Sequence, residues 1–129
     1  MHAFETTVPT DLPTTEAAVR DALGAQGFGV VSEIDVSANL EAALGVERSP
    51  LKILGACSPT FALRALELDP SVALLLPCNV VLEPADGGTR VRVIDPRALI
   101  DDPRFGSLAD EAAEHLRAAV ANVGATLAA

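Results

Sequence analysis

Apolar residues recur along this chain at two spacings, every second position and every third or fourth, and the switches between them lay out the elements. "AFETTV" reads as a short strand. In "DLPTTEAAVRDALGAQG", Ala18, Val19, Ala22 and Leu23 make a helical stripe. Pro13 suits the first turn, Asp11 or Thr14 can cap it, and Gly27 ends it. "FGVVSEIDVS" sets Phe28, Val30, Ile34 and Val36 on alternate positions, which predicts a half-buried strand. Ser37 then stands where it can cap a short helix, "ANLEAALGV", with Leu40, Ala43 and Leu44 on one face and Gly45 at its end.

"LKILGA" predicts a short buried strand. Ser58 and Pro59 follow as N-cap and first helical residue, and open the helix "PTFALRALEL" with Phe61, Ala62, Ala65 and Leu66 inward. "DPS" stops it. "VALLLPCNVVLE" is apolar on both faces, so it predicts a central strand. Pro77 lacks an N–H, so the regular strand belongs on the Asn79–Glu83 side, with a bulge or a separate short strand before it. "PADGG" turns the chain and "TRVRVID" returns antiparallel, Val91 and Val93 inward, Arg90 and Arg92 outward. "PRALIDDPRFG" reads as loop. Ser107 and Asp110 have capping-box spacing before the longest helix, which carries Leu108, Ala112, Leu116, Ala119 and Val123 on one face. Mixed elements ending in a hairpin give an α+β domain: a mostly antiparallel sheet with helices packed on one face.

Length supports one domain, residues 1–129, large enough to bury a core without staples. The formal net charge of −9, with Lys52 the single lysine, disfavours nucleic acid and anionic membranes as partners. No apolar run reaches bilayer length, and "MHAFETTVPTD" lacks the basic and apolar regions of a signal peptide. These features place the protein in the cytoplasm, where two cysteines stay reduced.

The blocks "GFGVVSEIDV", "ILGACSP", "ALELDPSVALLLPCNVVLE" and "VRVIDP" resemble the ordered blocks of the domain-of-unknown-function 302 family. The resemblance runs from the first helix to Pro96 and more loosely through the last helix. It implies a TBP-like β-α-β(4)-α sandwich and a homodimer, and it leaves the activity open. It also marks the segment holding Cys57 and Cys78 as the family's signature region. The family blocks often read G-A-C-N-P where this chain has Ser58, an equally good cap.

The candidate chemistry centres on those two thiols. Cys57 precedes a helix N-terminus, where partial positive charge favours a thiolate, or it is a small packing residue. Cys78 begins the hairpin strand, and its bland reading is core filler beside a kink. If "KILGA" and "NVVLE" are neighbours, the thiols converge, and Ser58 and Asn79 complete the expected ligand-binding set. Two thiols suit a soft metal such as Cu(I), a persulfide or a redox disulfide. Zinc wants more ligands, and only His2 and His115 could add imidazoles or a dimer partner could share the site.

Cys57, Asp95 and His115 stand in hydrolase order, but Pro59 breaks the nucleophile-elbow pattern. His115 is expected to pair with Glu111, and Asp95 to serve a turn. Asp101 and Asp102 solvate a loop, and Arg90, Arg92 and Arg97 form a solvated face or hold an anion. The expected function is a small-molecule or soft-metal binding module with a two-cysteine site. The alternatives are a thiol-based redox or sulfur-handling enzyme and a purely structural dimerisation domain. No catalytic residue is assigned.

Overall fold

The structure, a computed structural model, describes residues 2–128. Five strands form one antiparallel sheet: β1 (Ala3–Val8), β2 (Gly29–Asp35), β3 (Lys52–Cys57), β4 (Cys78–Ala85) and β5 (Gly88–Ile94), in spatial order β1-β5-β4-β3-β2. Helices α1 (Leu12–Ala25), α2 (Val36–Leu44), α3 (Pro59–Leu68), α4 (Pro96–Leu99) and α5 (Gly106–Leu127) complete the chain. The α+β class, the antiparallel sheet and the packing of helices on one face are as the residue pattern predicts.

Strand alternation divides the sheet into two unlike faces. Val80 and Leu82 of β4, Val91 and Val93 of β5, and Leu54 and Ala56 of β3 are buried against Val19 and Leu23 of α1 and Leu116, Val120 and Val123 of α5. A second, smaller cluster joins Ala65, Val72, Phe105 and Leu108 beside it. The other sheet face keeps Glu5, Arg90, Arg92 and Ile94 partly or fully exposed.

Several local expectations are corrected. A bulge between Val30 and Ser32 shifts the phase of β2, so Ile34 lies 44% exposed on the opposite side from Val30. Val36 is not in the strand; it opens α2. That helix is capped by Asp35, which accepts from the Ala38 N–H and the Ser37 hydroxyl, and it buries none of its residues, Leu44 included. "PSVALL" is a 3-10 turn (Pro70–Leu75), not a strand, because Asp69 caps Ser71 and Pro70 fits a first helical position. The loop after β5 contains α4 and a 3-10 turn at Pro103–Phe105, capped by Asp95 and Asp102. Ser107 makes no capping box: α5 starts at Gly106 with no side-chain cap. Leu66, expected inward on α3, is 37% exposed.

Candidate functional site

β3 and β4 are adjacent, with Ala56 opposite Cys78, so the two signature segments do meet. Ser58 caps α3 by accepting from the Phe61 N–H, and Pro59 occupies the first helical position. This strand-to-helix turn brings Cys57 to the wall of a small cavity that Cys78 also lines. The cavity measures about 50 Å³ and lies between the sheet and the helices, walled by Phe28, Phe61, Leu76 and Phe105. Both thiols are free and half-buried. Ser58 lines the same cavity.

Burial in this apolar setting pushes the Cys78 thiol up to about 11, and the neighbouring Cys57 adds to the rise. A soft ion or a sulfur atom therefore meets one thiol that must be made to give up its proton. Among the described residues no group of three or more His, Cys, Asp or Glu side chains could hold a metal.

Asn79 stands one residue beyond Cys78 and faces the other side of the sheet, where it lines a separate cleft. The structure does not bring it to the thiol cavity. His115 does not pair with Glu111: its Nδ1 lies 2.8 Å from Gln26 Oε1 and its ring sits 5.7 Å from that of Phe61, while Glu111 pairs with Arg64 at 2.9 Å. Asp95 caps α4 and grips Arg97 at 2.8 Å, which holds its carboxyl below the usual carboxylate range. The hydrolase-like set Cys57, Asp95 and His115 thus has its acid and its histidine engaged elsewhere. Arg90 and Arg92 share Glu83, and Asp102 is taken by Arg104.

The outer cleft, about 560 Å³, is the feature that residue patterns missed. It is lined by Glu5, Asn79, Arg92, Leu74, Leu76 and Leu99 among others. The run "VALLLP" held a signal for it: read as a 3-10 turn, it leaves Leu74 87% exposed at the cleft's edge.

The chain belongs to the family described as Domain of unknown function DUF302, which matches residues 4–123. It is similar to an uncharacterized conserved DUF302 protein from Bacillus stearothermophilus of known crystal structure. The two are 26% identical, with a TM-score of 0.86, over 95% of this chain and 98% of that one. No curated protein matches the chain. Among the described residues no helix is long and apolar enough to cross a membrane.

Proposed function

We propose that this chain is a binding module whose two thiols hold one soft atom, with Cu(I) the ligand that fits best. The observation that carries the reading is that Cys57 and Cys78, both free, line one apolar cavity of about 50 Å³. That volume admits a guest of a few heavy atoms and rejects an organic molecule of drug size. Soft thiolates select Cu(I), which needs few ligands, whereas a zinc site normally takes three or four from the protein. The raised Cys78 thiol argues against a resident thiolate nucleophile and for a ligand that displaces the proton on binding.

The test is anaerobic Cu(I) titration against a competing chelator. One Cu(I) per chain, lost in both Cys57→Ser and Cys78→Ser, is the expected result. Uptake that persists in the double variant, or none in the parent, rejects the reading.

We read the fold as a TBP-like sandwich and the chain as a single domain. The element order reduces to β-α-β(4)-α when α2, α3, α4 and the two 3-10 turns are set aside, and one core cluster joins Val8 to Val123. The homodimer belongs to the same reading: Leu44, Val46, Leu63 and Leu68 are exposed apolar residues outside the cleft lining, a supply of surface for a second copy. Light scattering that returns the monomer mass at micromolar concentration would remove it.

A further inference from the structure

The outer cleft has chemistry that the thiol cavity lacks. Glu5 of β1 and Arg92 of β5 are directly opposite each other in the sheet, and both line the cleft. Yet they are not bonded to each other. Arg92 turns one Nη to Glu83 at 3.1 Å, and that oxygen also serves Arg90. Arg92 Nε is buried with no hydrogen-bond partner, and Glu5 has no ion pair among the described residues. That Nε is sealed from the cleft, so what a guest meets is the Glu5 carboxylate and, a single strand spacing away, the outer guanidinium nitrogens of Arg92, of which Glu83 engages one. Around them the wall is apolar: Leu74, Leu75, Pro77, Ile94 and Leu99. Leu74 is 87% exposed, apolar surface whose burial under a guest is favourable. The volume, about 560 Å³, falls in the range of small-molecule sites.

The local charges choose the ligand. Arg90 and Arg92 are balanced by Glu83 and Glu5, so a plain anion gains at Arg92 and loses to the two carboxylates, and a plain cation meets the reverse. A molecule carrying both charges on neighbouring atoms gains at each. We propose that this cleft binds an apolar α-amino acid, its carboxylate on Arg92, its ammonium on Glu5 and its side chain against Leu74 and Leu99. The site shares only Leu76 with the thiol cavity, so it stands or falls without the two-thiol reading.

The experiment is calorimetric titration of the full chain with L-leucine and with two analogues that lack one charge each, 4-methylpentanoate and 3-methylbutylamine. Leucine is expected to bind, with each analogue weaker by about tenfold or more, the worth of one charge-assisted hydrogen-bonded contact. Arg92→Gln and Glu5→Gln are expected to lower leucine affinity similarly while leaving the thermal midpoint near that of the parent. Cys57→Ser with Cys78→Ser is expected to leave it unchanged. No heat and no chemical-shift change with leucine at millimolar concentration overturns the proposal. So does 4-methylpentanoate binding as tightly as leucine. A dimer that blocks leucine and dissociates in Leu74→Asp also overturns it, since a second copy is then the occupant.

Discussion

Cys78 holds its proton more tightly in the fold than an unfolded chain would hold it. Its value is near 11 against an ordinary 9.0, because the thiolate would be stranded among apolar side chains beside Cys57. The folded state therefore binds more protons than the unfolded state between those two values, and stability falls as pH rises across that window. A rise from 9.0 to about 11 corresponds to roughly 2–3 kcal/mol at the top of the window. Cys78→Ala should flatten the decline between pH 9 and 11, measured as urea midpoints, with the parent and variant compared at each pH. Identical slopes would show that the thiol is less buried than the cavity implies. Both cysteines and their nearby prolines are legible in the sequence, whereas the pairing of their strands stands there only as a condition, which β3 beside β4 meets. Asn79 could have been set apart from the thiols on sequence alone, since strand alternation puts neighbours Cys78 and Asn79 on opposite faces of β4. The role of His115 is hidden because Gln26, its partner, is 89 positions away.

At the scale of elements, two glycines with the same missing side chain carry opposite expectations. A Cβ at Gly88, where β5 begins, would stand 1.8 Å from the Val8 carbonyl oxygen, a backbone atom that cannot rotate aside. At Gly24, inside α1, nothing lies within 4 Å of it. Gly88→Ala should therefore cost about 3 kcal/mol or more, by the overpacking argument, and displace the end of β1 from β5. Gly24→Ala should stabilise by about 0.5–1 kcal/mol, the helix-interior difference between the two residues. Denaturant unfolding of the two variants checks both signs. The same contrast explains which elements are legible in the sequence. The apolar stripes of α1 and α5 and the alternation of β5 repeat often enough to override local noise, and Asp11 and Ser58 cap as their chemistry predicts. The bulge in β2 costs a single extra residue and leaves no mark in composition, so strict alternation puts Ile34 on the wrong face. The 3-10 turn at Pro70–Leu75 is apolar enough to pass for a strand. Only the position of Asp69 before Pro70 tells the two apart.

The whole molecule carries twice as many acidic as basic groups, 18 against 9, and spends its cations on local pairings. Lys52 of β3 meets both Glu16 of α1 and Glu33 of β2, and Arg20 of α1 reaches the same two carboxylates, so one charge cluster ties an edge of the sheet to the helix layer. Burial alone would raise Glu16, but Lys52 and Arg20 together outweigh it and hold its value below 4.5. Glu83 is held low by Arg90, Asp102 by Arg104, and Asp69 first by the Ser71 N–H and then by Arg104. Each of these carboxylates contributes stability that is present above its ordinary value and lost as pH falls through its depressed one. Opposing this, the unpaired acids repel one another at neutral pH, and protonating them relieves the fold. The two effects separate by salt. At pH 7 the repulsion is long-ranged and screened, so raising ionic strength from about 10 to 150 mM, where the screening length falls from about 30 to 8 Å, should raise the thermal midpoint. At pH 3 the repulsion among carboxylates is gone, but the pairings are being lost and the nine Lys and Arg are left to repel one another, so the midpoint should be lower than at pH 7. Midpoints that climb between pH 7 and pH 3 would mean that the excess charge, and not the paired clusters, dominates the stability of this fold.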